Sequence, residues 1–143
     1  MQRAVGRPDG TRGRLTAAQQ RSTKEVVRVW KAAADQGHSG AQFNLGVMYQ
    51  NGQGVAHDFK AALVWNRKAA ELGHAGAQCN SGNIHERGQG AARDYMAALV
   101  RLRKAADQRN TGAQSNLGYM DAHGHGVQRD PHTALTWFQE AAA

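Results

Sequence analysis

The residues with the strongest claim to chemistry are Asp121, His123 and His125, spaced two apart across a helix end and a glycine turn. A carboxylate and two imidazoles in that order can supply three metal ligands, or hold a water for hydrolysis. A zinc site needs three or four ligands steadied by a supporting shell of hydrogen bonds. His-x-His on a glycine turn is also ordinary surface chemistry, so a metal-binding or hydrolase-like domain is kept as the alternative. Nucleophilic or acid-base catalysis requires a base beside a nucleophile in one pocket. The titratable residues are instead scattered and recur at a fixed interval, which marks them as structural, so the chain is expected not to be an enzyme and to carry no cofactor. Cys79 is the one cysteine, which rules out an intrachain disulfide and fits a reducing compartment. Its register mates Phe43 and Ser115 make it a small packed residue.

A second chemistry is phosphate binding. Arg87, Arg93, Arg101, Arg103, Lys104 and Arg109, with an arginine-rich N-terminal arm, can neutralise a nucleic-acid backbone. The net charge of +7 invites that reading. Stacking aromatics are few, however, and no nucleic-acid motif is present. Weak nucleic-acid binding through the arm and residues 77–112 therefore ranks below the adaptor role reached below.

What must position these residues is a repeat. Ala41-Gln42-x-Asn44-Leu45-Gly46 returns as Ala77-Gln78-x-Asn80-Ser81-Gly82 and as Ala113-Gln114-x-Asn116-Leu117-Gly118, a period of 36 residues. Aligned without gaps, residues 41–76 and 77–112 agree at 18 of 36 positions, far beyond chance. A fixed period of this length signals a stack of helical units that cannot bury their apolar faces alone. The predicted units are 41–76, 77–112 and 113–143, preceded by a half unit at 22–40. Residues 1–21 form an expected disordered basic arm without the apolar core of a secretory signal.

Within a unit, Ala41, Leu45, Met48 and Tyr49 follow helical spacing, as do Ala62, Trp65 and Ala69. The predicted helices are 22–36, 40–51, 58–72, 76–87, 94–108, 112–123 and 130–142. Glycines at 52, 88 and 124 suit left-handed helix ends. Asp58, Asp94 and Asp130 are expected N-caps, with Ser22 and Glu25 as a capping box upstream. His38 and His74 share one slot after the second helix and are assigned a turn or capping role. Gly46, Gly82 and Gly118 fall inside helices, where glycine costs about 1 kcal/mol against alanine. Close helix approach under Trp65 or Trp137 is the expected compensation. Ser81, His85 and Arg101 replace leucine, tyrosine and tryptophan of the first unit, so residues 77–112 are expected to be the weakest segment.

The 41–76 text, Ala-Gln-x-Asn-Leu-Gly through Gly-x-Gly-Val and Ala-x-x-Trp to Ala-Ala-x-x-Gly-x-x-Gly, resembles the Sel1-like repeat, a relative of the tetratricopeptide repeat. The resemblance covers about residues 22–143. It implies an all-α, α/α superhelical solenoid of antiparallel helix pairs whose first helices line a concave groove. It also implies a non-enzymatic adaptor that binds a protein or peptide segment there. Positions 44, 47 and 51 recur beside the core stripe of each first helix. In tetratricopeptide relatives such positions face the groove. The candidate partner-binding rows are then Asn44, Val47 and Asn51; Asn80, Asn83 and Arg87; and Asn116, Tyr119 and His123. Asparagine can meet a peptide backbone as donor and acceptor, and Arg87 can take a carboxylate. The Asn44, Asn80 and Asn116 set fits an inter-repeat bracing ladder equally well. The rows at 47, 83, 119 and at 51, 87, 123 vary between units and are the better specificity determinants.

No apolar run reaches the roughly eighteen residues that would span a bilayer. A membrane partner is not expected, and a cytoplasmic location is favoured. Leu135, Trp137 and Phe138 lie on a last helix with no polar helix after it, so self-association through that end is an expectation.

Overall fold

The computed structural model describes residues 16–143, and the part of the expected arm at 1–15 lies outside them. Seven helices follow in order: α1 (Ala17–Asp35), α2 (Ser39–Asn51), α3 (Phe59–Glu71), α4 (Ala75–Arg87), α5 (Tyr95–Asp107), α6 (Thr111–His123) and α7 (Pro131–Ala142). No strand occurs among the described residues. Each helix packs on its neighbours in the chain, and α4 also touches α6. The result is an all-α solenoid of three helix pairs preceded by α1.

The sequence sets each boundary by local chemistry. Asp58, Asp94 and Asp130 accept from backbone N–H groups of the first turn that follows. His38 and His74 are caps as well, their Nδ1 atoms accepting from Ala41 N and Ala77 N at 3.1 Å. Asn110 holds the same place in the third unit. Gly52, Gly88 and Gly124 close α2, α4 and α6 in the left-handed conformation. A second left-handed position recurs at Gly37 and Gly73, and there the third unit places Arg109, at φ 65°. A residue with a Cβ is strained in that region.

Three expectations need correction. Helix α1 starts at Ala17, and its capping box is Thr16 with Gln19, not Ser22 with Glu25. The run Thr16-Ala17-Ala18-Gln19-Gln20 contains only good cap and helix formers, so nothing stops the helix later. Consequently residues 17–21, assigned to the arm, are helical. The residue seated over each mid-helix glycine is also one position further on than expected. A Cβ on Gly46 would lie 2.6 Å from Asn66 Oδ1, one on Gly82 2.7 Å from Leu102, and one on Gly118 2.7 Å from Phe138. Trp65 and Trp137 turn aside into neighbouring apolar clusters.

Within residues 77–112, expected to be the weakest segment, the two helices differ in their apolar packing. Helix α5 contributes Ala98, Leu99, Leu102, Ala105 and Ala106 to the largest core cluster, together with Ala113, Leu117 and Met120 of α6. A second cluster joins Ala34, Ala41 and Leu45 with Trp30 and Trp65. Between them lies a smaller cluster of Ala69, Ala70 and Ala77 with Phe43, and Leu63 of α3 and Ile84 of α4 are buried as well. Asn66 of α3, seated over Gly46 of α2, and Ser81 of α4 are fully buried, and their side-chain polar atoms have no protein partner.

Candidate functional site

The first helices α2, α4 and α6 are tied to one another by side-chain amides. Asn80 Nδ2 donates to Gln50 Oε1 at 3.5 Å, and Asn116 Nδ2 donates to Asn83 Oδ1. Asn83 in turn turns its amide toward Cys79 Sγ at 3.9 Å. Asn80, Asn83 and Asn116 are therefore half-buried rungs between units, which favours bracing for this set. Asn44 and Val47 are half-buried on α2, while Asn51, Arg87, Tyr119 and His123 are exposed. A wall of fixed amides thus carries a rim of exposed side chains.

Glutamines reinforce the stack from below. Gln42 Nε2 donates to Ala34 O at 3.1 Å, and Gln78 Nε2 to Ala70 O at 3.2 Å, each capping the end of the preceding second helix. Gln108 Nε2 reaches back to Gly73 O and to Gln78 Oε1, both at 2.9 Å. The invariant Gln of the Ala-Gln pair was the available signal for this role. Cys79 sits within the same framework, and burial pushes its thiol up while the Asn83 amide opposes. That environment disfavours a reactive thiolate.

At the α6 end the rim becomes aromatic. Tyr119 stacks on His123 with centroids 4.0 Å apart, and His125 stacks on Tyr95 at 4.7 Å and 8°. Tyr119 meets His125 edge-on at 5.5 Å. His125 Nδ1 lies 3.3 Å from Glu86 Oε2, and Arg93 covers the Tyr95 ring at 5.2 Å. Glu86 and Tyr95 were not singled out from sequence. The only signal was that His125 departs from its register mates Gln53 and Gln89.

The three-ligand arrangement of Asp121, His123 and His125 does not assemble. Residues two apart on a helix point about 200° apart, so Asp121 faces α7 while His123 faces the rim. Burial raises the Asp121 carboxyl, the Asp130 carboxylate adds to that, and Arg103 and a hydrogen bond from Trp137 oppose it. The two histidine rings are 5.7 Å apart, and no group of three or more His, Cys, Asp or Glu side chains suited to a metal occurs among the described residues. The basic set is dispersed too. Arg87 lies on the rim, Arg93 covers Tyr95, and Arg101 acts on His85. Arg103 and Lys104 face outward from α5, and Arg109 makes a turn.

Residues 39–74, 75–110 and 111–143 each match the family model for the Sel1 repeat. These spans begin with the observed starts of α2, α4 and α6, two residues ahead of the predicted units. Among solved structures, a protective antigen present in uropathogenic Escherichia coli strains, displaying an SLR fold, aligns with a TM-score of 0.81 at 39% identity. The alignment covers 83% of this chain and 26% of that one. A Sel1 repeat protein from Oxalobacter formigenes aligns with a TM-score of 0.80 at 35% identity, over 84% of this chain and 49% of that one. The chain thus spans about a quarter and about a half of these two proteins. No curated protein matches.

Proposed function

This chain belongs to the Sel1 repeat family, and from that premise we propose that it is a non-enzymatic adaptor holding an extended peptide or protein segment along α2, α4 and α6. Sel1 repeats generally serve as protein-interaction scaffolds. The observation that carries the finer reading is the contrast along this one face. Two of the three recurring asparagines, Asn80 and Asn116, are spent on bonds to the preceding unit, whereas the exposed positions Asn51, Arg87, Tyr119 and His123 differ from unit to unit. Bracing requires sameness and recognition requires difference. Tyr119 supplies a large planar surface with few rotatable bonds, and Arg87 a forked donor for a carboxylate or backbone carbonyl.

The test is selection of binders from a random peptide library, followed by photo-crosslinking from a benzophenone side chain placed at 119 or at 51. Crosslinks from both positions are expected. Arg87→Ala with Tyr119→Ala should weaken the selected peptides at least tenfold without moving the melting temperature. Selected peptides that bind yet crosslink from neither position would reject the groove.

A further inference from the structure

The outward faces of the second helices carry a pattern that the groove does not use. Positions 60, 64, 67, 68 and 71 of α3 fall on one solvent-facing stripe, and the 36-residue period repeats it on α5 and, upstream, on α1. Stacking turns each position into a row. One row is Lys31, Arg67 and Arg103, all exposed, and a second is Lys68 with Lys104. Between them stand Val64 and Val100, each 51% exposed, and Met96 at 62%. The acids of this stripe, Asp35, Glu71 and Asp107, form one row at the helix ends, and beside the stripe on α1 Glu25 pairs with Arg28, the register mate of Val64 and Val100.

None of those five cations lies in a salt bridge among the described residues, where the ion pairs found are Arg28 with Glu25 and His125 with Glu86. The pattern stops at α7, which presents His132, Thr136 and Gln139 in the corresponding places. A solvated face requires charge of either sign, but it does not require cations segregated around exposed aliphatic side chains.

We propose that the outer face of α1, α3 and α5 docks on an anionic lipid bilayer. Lysine and arginine stems reach the phosphates of the headgroups, and Val64, Val100 and Met96 rest at the boundary of the acyl region. Juxtaposed basic residues gain attraction from acidic lipids that decays within a Debye length. A nucleic acid would use the cations but not the aliphatics, and the ring beside these rows, the half-buried Trp65, is already covered by Lys68 Nζ at 4.8 Å and so offers no open platform on which bases stack. No helix among the described residues is long and apolar enough to cross a membrane; peripheral contact needs none, and it revises the expectation of no membrane partner. The face lies on the opposite side of the helix pairs from the amide ladder, so docking leaves the groove open, and the inference stands whether or not the groove binds peptide.

The experiment is co-sedimentation of the whole chain with phosphatidylcholine vesicles and with 3:1 phosphatidylcholine–phosphatidylserine vesicles between 50 and 300 mM NaCl. The chain should pellet only with the acidic vesicles and be released as salt rises. Lys31→Glu with Lys104→Glu should reduce partitioning at least tenfold at unchanged melting temperature, although it keeps the N-terminal arginines. Val64→Ser with Val100→Ser should weaken vesicle binding while leaving binding to a soluble oligonucleotide unchanged. Equal pelleting of the wild type and the charge-reversal variant overturns the proposal. So does an oligonucleotide that binds more tightly than acidic vesicles, which would make the face a nucleic-acid surface.

Discussion

The α5–α6 joint and the α3–α4 joint occupy the same place in successive units and are built from opposite materials. In the first, Leu102 and Leu117 are fully buried in the largest apolar cluster. Their register mates 36 residues earlier, Asn66 and Ser81, are as deeply buried and have no protein hydrogen-bond partners for their side chains. A buried polar group left unpaired costs about 1–3 kcal/mol. The backbone tolerates both solutions, because Asn66 seats over Gly46 just as Leu102 seats over Gly82. One repeat geometry therefore carries an apolar joint and one with buried polar side chains, and stability in a solenoid is set by such nearest-neighbour interfaces. In hydrogen exchange, α5 and α6 should be the best protected, and α3 should exchange before them.

The largest change would come from making the apolar joint resemble the other. Leu102→Asn removes an apolar side chain from the main cluster and buries an amide there, and should cost about 3–5 kcal/mol by urea denaturation. A loss under 1 kcal/mol would mean that the two joints are equivalent after all. The converse is Asn66→Leu with Ser81→Leu, which gives the α3–α4 joint the side chains already used one unit later. Each substitution removes buried polar atoms that have no protein partner, and a gain of about 2 kcal/mol is expected. No gain would show that buried water already satisfies the pair.

Much of this contrast was open to view in the sequence, but not its geometry. The period placed all seven helices, and the Asp and His caps followed from where each stripe began. Ser81 was visible as a loss of leucine. Asn66 was not, because the reading placed Trp65 over the glycine, and adjacent helical residues point 100° apart. Only the crossing of two helices decides which of them is buried. The same limit hid Glu86 and Tyr95 beside His125, since contacts 30 or more residues apart depend on the stacking angle. The amide ladder was halfway legible: recurrence of Asn44, Asn80 and Asn116 suggested bracing, while the Gln50 and Asn83 partners needed coordinates.

A smaller effect separates the turns that enter α4 and α6. Gly73 takes its left-handed place freely, whereas Arg109 takes the same place with a Cβ. Arg109→Gly should relieve about 1 kcal/mol of backbone strain, partly offset by the greater freedom of glycine in the unfolded chain. Thermal melts should show a rise of a few degrees, while Gly73→Arg should show a fall of similar size. If Arg109→Gly lowers the melting temperature, the guanidinium must hold a contact worth more than the strain.

The smallest effect concerns His85, on the same helix as Ser81 and likewise with a buried ring nitrogen, Nδ1, that lacks a partner. Burial lowers its imidazole below the ordinary range, Arg67 and Arg101 lower it further, and Asp94 opposes them. The unfolded chain therefore takes up a proton at a higher pH than the folded one. Above the ordinary histidine range of about 6.5 both states are neutral and nothing is lost; as pH falls below it, the unfolded state is favoured. Stability should decline from pH 7.5 to 5.5 more steeply in the wild type than in His85→Tyr, which borrows the residue standing at position 49 of the first unit. Parallel pH profiles would place the acid sensitivity elsewhere and remove His85 from the account of how the two sides of α4 differ.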